Sequence, residues 1–157
     1  MDTTSWTAFA AAEPEFAETV RERFAAHRHH VLGTLRKDGA PRLTGLELGF
    51  TGPEPWLGMM DGSRKALDLR RDPRFALYAN PGEGDTMGGG DVRISGRAVE
   101  VTDPAEAARL TGEEAPSEPF HLFRMEIGEV VRVRVEGDEL VVSCWRPDTG
   151  LVTRRRH

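Results

Sequence analysis

Gly62-Ser63-Arg64-Lys65-Ala66-Leu67-Asp68-Leu69-Arg70-Arg71-Asp72-Pro73 is the stretch that decides how this chain is read. A glycine turn delivers a hydroxyl and two adjacent cations to the start of a short helix, which Pro73 ends. Such a helix start suits a phosphate: its first N–H groups lack intrahelical partners, its dipole favours an anion, Ser63 can donate, and Arg64 and Lys65 supply counter-charge. Of the 21 basic residues only Lys37 and Lys65 are lysines, which sets Lys65 apart. Charge runs also commonly do no more than face solvent, and the stretch alone leaves that alternative open.

Composition narrows the field around it. The 157 residues predict a single domain large enough for a real core, spanning 1–157. A net charge of −5 gives no global support for a nucleic-acid partner. The single cysteine, Cys144, leaves no intrachain disulfide framework and no cysteine-based zinc site, and fits a reducing compartment. No apolar run approaches the ~18 residues of a spanning helix, and the acidic N-terminal region does not resemble a signal peptide. The expectation is a cytoplasmic protein that does not enter membranes.

Upstream, residues 1–28 read as helices. Ser5 caps Trp6 to Ala12, Pro14 opens a second helix, and Phe16, Val20 and Phe24 form its apolar stripe. His27, His29 and His30 read as a solvated helix exit, because no carboxylate or cysteine nearby completes a metal site. Strands follow: His30 to Arg36, an Asp-Gly turn, Arg42 to Phe50 in alternation, and Pro55 to Met60. Downstream lie a strand from Arg74 to Ala79, a mobile Gly-rich loop from Asn80 to Gly90, and a long strand from Val92 to Val101. Asp103-Pro104 opens a helix through Leu110, and Thr111 to Pro119 is an acidic loop. Phe120 to Ile127 then leads into a hairpin of Val131–Val135 and Leu140–Trp145. Six or seven strands with short intercalated helices predict a mainly β protein, a small antiparallel barrel over 29–146 with peripheral helices and a frayed tail over 147–157. Trp145 reads either as core or, with Arg146 and the Gly82 to Gly90 loop, as a substrate-side element, and His121 reads as the one core-facing histidine.

This order, with Ser-Arg-Lys, three residues, Leu, Arg, Arg and Asp-Pro, then Gly90-Asp91-Val92-Arg93-Ile94-Ser95-Gly96, resembles the pyridoxamine 5′-phosphate oxidase-like FMN-binding split β-barrel family from about His30 to Val101. The resemblance implies a phosphate cradle of Arg42, Ser63, Arg64 and Lys65. It implies a flavin ring along the Leu43-Thr44-Gly45 backbone and the Met59-Met60 edge, and a polar residue, Asp91, contributed by the second subunit of a homodimer. It further implies hydride transfer between FMN and a small-molecule substrate, with the deazaflavin F420 as the alternative cofactor. In that case Arg70, Arg71 or Arg154 to Arg156 would hold the longer anionic tail. Non-catalytic carriage of a flavin, haem binding with His121 as axial ligand, and an empty structural barrel remain open. Gly58, Met59 and Asp91 depart from the aromatic, Thr and Gln usual in the oxidases. The chain ends in Cys144-Trp145-Arg146-Pro147-Asp148-Thr149-Gly150 where the oxidase has an Arg-x-His grip on pyridoxine phosphate. Authentic pyridoxamine phosphate oxidase activity is therefore not implied. No catalytic residue is assigned.

Overall fold

A computed structural model describes residues 1–84, 89–112 and 120–157. Among them are nine strands and four helices, in the order β1 (Thr4–Ser5), α1 (Trp6–Ala12), α2 (Pro14–Ala25), β2 (His29–Leu35), β3 (Pro41–Gly49), β4 (Trp56–Met60), α3 (Arg64–Arg71), β5 (Arg74–Tyr78), β6 (Asp91–Glu100), α4 (Pro104–Thr111), β7 (Phe120–Glu136), β8 (Glu139–Arg146) and β9 (Gly150–Arg156). The Asn80–Gly90 and Thr111–Pro119 loops read from the sequence lie partly outside the described residues, at 85–88 and 113–119.

Six strands close an antiparallel barrel in the order β4-β3-β2-β5-β6-β7, with β7 returning to β4. Alternation decides which side chains fill it. His30, Leu32 and Thr34 of β2, Phe75 and Leu77 of β5, and Val92 and Ile94 of β6 are buried, while their neighbours along each strand are less so. Helices α1 and α2 cover one end of this core. Ser5 Oγ accepts from the Ala8 N–H at 3.1 Å, Pro14 occupies the first turn of α2, and the Phe16, Val20 and Phe24 stripe is buried. Phe9 is fully buried against Trp145, with ring centroids 4.8 Å apart, so of the two readings of Trp145 the core one holds.

Three features differ from the sequence reading. Phe120 to Glu136 is one seventeen-residue strand, not a strand followed by a separate hairpin arm. A bulge lets it continue: Ser95 pairs Glu129 but Gly96 pairs Ile127, leaving Gly128 as the extra residue. Gly96 is required there, since a Cβ would stand 1.9 Å from the Glu126 carbonyl oxygen. The tail is also not frayed: the Pro147-Asp148-Thr149 turn ends at Gly150, φ +71°, and β9 pairs along β8 from Arg146↔Gly150 to Leu140↔Arg156. Finally, His121 is not the only inward histidine. The alternation of β2 buries His30, whose Nδ1 accepts from the Asn80 N–H at 3.0 Å while Nε2 donates to the Phe24 carbonyl at 2.9 Å. Burial pushes its pKa down, consistent with that neutral, fully bonded ring. No described helix is long and apolar enough to cross a membrane.

Candidate functional site

The barrel wall is complete except at one seam. β3 and β4 pair only at Leu48↔Leu57 and Gly49↔Trp56, at the end nearest their connection. Beyond that point β3 continues against β2 and β4 against β7, so the two facing edges leave backbone N–H and C=O groups outside any ladder. Between them lies a cleft of about 350 Å3, lined by Gly45, Leu46 and Glu47 on one bank and Gly58, Met59 and Met60 on the other. His29 also lines it, and Ser63 and Lys65 bring the start of α3 into it.

Both banks are shaped by glycine. Gly45 lies on the outer face opposite Val31, and a Cβ there would meet nothing within 4 Å. A Cβ on Gly58 would instead stand 2.7 Å from the Trp56 indole, so the missing side chain makes room for Trp56. This accounts for the departure at Gly58 noted from the sequence.

Ser63 is the N-cap of α3, yet its side chain makes no cap hydrogen bond, and its Oγ is buried without a partner. Thr44 Oγ1 is buried and unpartnered as well, but it shares the inward face of β3 with Arg42 and Leu46 and does not line the cleft. An orphaned buried hydroxyl costs about 1–3 kcal/mol, so Ser63 marks a position along the cleft where a hydrogen-bonding ligand would be stabilised. Lys65 Nζ donates to the Gly45 carbonyl at 2.8 Å, tying the helix start to the β3 bank, and burial lowers its pKa. Arg64 is exposed in the first turn and makes no hydrogen bond or ion pair among the described residues.

Of the residues expected at a cofactor, Gly45, Met59, Met60, Ser63 and Lys65 therefore meet at this cleft. The Met59 side chain points into the core and contributes its backbone, whereas Met60 is 81% exposed. Leu43, 74% exposed, and Thr44 continue the β3 bank. Arg42 is turned inward: its Nε donates to Asp68 Oδ2 at 2.7 Å. Asp91 is separated from β3 by β2 and β5 and accepts from the Tyr78 hydroxyl at 3.2 Å, so it is not part of the same chain's cleft.

Two residues that the sequence reading did not assign to the cradle organise the helix start. Asp68 is buried and receives Arg42, the Thr34 hydroxyl at 2.8 Å and Arg71 at 3.0 Å, clamping α3 onto β2 and β3. Burial acts to raise its carboxyl pKa, but the hydrogen bonds from Arg42, Thr34 and Arg71 outweigh it and hold the group below the usual range. The available sign was a lone acid inside an otherwise basic helix, three residues before Arg71. The other is His121, whose two ring nitrogens are both engaged, Nε2 with the Gly62 N–H and Nδ1 beside Glu100. It offers no free nitrogen for an axial ligand.

The pyridoxamine 5′-phosphate oxidase family model matches residues 16–134, well over half of the sequence. The chain belongs to this family. No curated protein matches it. Among solved structures it is similar to PhzG from Burkholderia lata 383 in complex with tetrahydrophenazine-1-carboxylic acid, at 17% identity, covering 93% of each chain with a TM-score of 0.65. It is similar to a pyridoxamine 5′-phosphate oxidase-related, FMN-binding protein from Nostoc punctiforme PCC 73102, at 12% identity, covering 92% of this chain and 96% of that one, TM-score 0.62. A heme binding protein from Mycobacterium smegmatis matches at 16% identity over 91% of this chain and 88% of that one, TM-score 0.60. These likenesses support the split-barrel fold.

Proposed function

We propose that the chain binds FMN in the seam between β3 and β4 and works as a flavin-dependent oxidoreductase on a small-molecule substrate. The observation that carries this reading is the Ser63 hydroxyl, buried and unpartnered at the start of α3, beside the unpaired Arg64 and the cleft-lining Lys65. Membership of a family with an FMN-binding neighbour supports it. Bound FMN would supply hydride exchange at its ring N5. The chain's own part is binding and orientation. Ser63, Arg64 and the first N–H groups of α3 receive the phosphate, and the unpaired edges of β3 and β4 offer donors and acceptors to a planar ring. Leu43 and Met60 are large exposed apolar side chains on the two banks, with Val31 beside Gly45. Covering them with a second copy of the barrel would exclude water, and in that homodimer Asp91 would come from the partner. Arg154 and Arg156 line a separate groove with Arg146 on the outer face of β8 and β9, not the cleft. That arrangement favours FMN over the longer-tailed F420.

Titrating the purified protein with FMN and F420 in parallel, followed by absorbance and flavin fluorescence, tests the reading. FMN is expected to bind, and Arg64→Ala and Ser63→Ala to weaken it by about tenfold to a hundredfold each, the worth of one charge-assisted or buried hydrogen bond. Unchanged affinity in both variants, or no uptake of FMN by the parent, would remove the assignment.

A further inference from the structure

We infer that His121 is a positioning residue of the anion cradle, holding the turn that presents Ser63 only while its imidazole is neutral; the inference rests on the cleft being an anion site. Gly62, φ +71°, is the hinge between β4 and α3. Its N–H donates to His121 Nε2 at 2.9 Å, across 59 residues of sequence. A nitrogen that accepts this bond carries no proton, so the ring proton is on Nδ1, facing Glu100 Oε1 at 3.2 Å. Glu100 is in turn gripped by Arg70 with two hydrogen bonds of 2.7 Å. These bonds hold the Glu100 carboxyl below the usual range, keeping it an acceptor. Side chains from α3, the end of β6 and β7 thus converge on one backbone N–H, one residue before the unpartnered Ser63 hydroxyl.

His121 is buried, and among the described residues the charged groups around it are few. Glu100 approaches from β6, Arg70 from α3 with Nη2 at 3.2 Å from Nδ1, and Asp61 from the β4–α3 turn with Oδ1 at 3.3 Å from Nε2. Its partner on β4 is the uncharged Met59, and α4 contributes only Pro104 and Ala107 to the adjoining cavity. Among the described residues, a proton added at Nε2 has one acceptor side chain within reach, the Asp61 carboxylate. The Gly62 N–H loses its acceptor at the same moment. Acidification exchanges a bond to residue 62 for one to residue 61 and releases the turn ahead of the cradle.

The test compares FMN affinity of the parent and His121→Gln between pH 8 and pH 5.5, alongside the amide resonance of Gly62 in 15N-labelled protein without ligand. Glutamine can accept from Gly62 and donate to Glu100 but does not titrate in this range. Affinity at pH 8 should agree within about threefold, and the parent should then lose about tenfold more than the variant as pH falls. Ionisation of the FMN phosphate acts on both proteins alike and cancels in the ratio. The Gly62 resonance should titrate in the parent and stay flat in the variant. Parallel pH profiles, or a Gly62 resonance that stays flat in the parent, would overturn the inference. If neither protein takes up FMN at any pH, the cofactor reading fails by itself, and the Gly62 resonance alone decides the role of His121.

Discussion

Gly45→Val should abolish measurable FMN binding, by a factor above about 100, while leaving the ligand-free barrel as stable as before or slightly more so. The two expectations come from the same geometry. A Cβ at this position meets nothing of the protein within 4 Å, so a branched side chain has room in the folded chain. Valine suits an extended strand, and glycine within one costs about 0.5–1 kcal/mol relative to alanine. Its methyl groups would nevertheless project into the cleft bank that faces Met60, where a planar ring needs to lie against bare backbone. The Lys65 bond is made to the Gly45 carbonyl and needs no change. Fluorescence titration, thermal unfolding and sedimentation velocity together separate the outcomes. Parent-like FMN affinity in a stable Gly45→Val protein would place the ligand elsewhere.

Asp68→Ala should be the most destabilising single change around the site. Asp68 is the shared acceptor of Arg42, Thr34 and Arg71, and both it and the Thr34 side chain are buried. Removing a buried ion-pair partner costs about 3–5 kcal/mol, because the remaining charge keeps its desolvation cost without its counter-charge. At about 2–4 °C per kcal/mol for a chain of this size, the midpoint of thermal unfolding should fall by roughly 10 °C. The sign of the pH dependence follows from the lowered carboxyl pKa. Its stabilisation is fully present above the unfolded value of about 4 and is lost as pH falls through the lower folded value. Parent and Asp68→Asn should therefore differ most at neutral pH, and the gap should close as pH falls through the lowered folded value. Calorimetry from pH 7 to pH 2.5 would refute this if the gap stayed constant.

Local chemistry was legible from the sequence. Helix α3 runs over Arg64–Arg71 as its glycine start and proline stop predict, and the caps at Ser5 and Asp103 are both made. The family, the mainly β barrel and the meeting of Ser63 and Lys65 with the two strand banks were also readable. What could not be read was pairing at long range. Periodicity shows that β3 and β4 are strands, but not that they touch at only two positions and then part. The inward turn of Arg42 depends on Asp68, 26 residues away, and the engagement of His121 on Gly62. Strand β9 was hidden because Arg154-Arg155-Arg156 has the composition of a solvated terminus. Its order comes from pairing with β8 and from ion pairs of Arg155 with Glu136 and Glu139.

A cylinder whose wall is interrupted in one place flexes there first. Five of the six joints between staves of this barrel run over several residues, while the sixth, between β3 and β4, is pinned at one end only. A rigid flat molecule lodged in that gap would act as the missing joint. Its departure would then register across the whole barrel as a loss of stiffness.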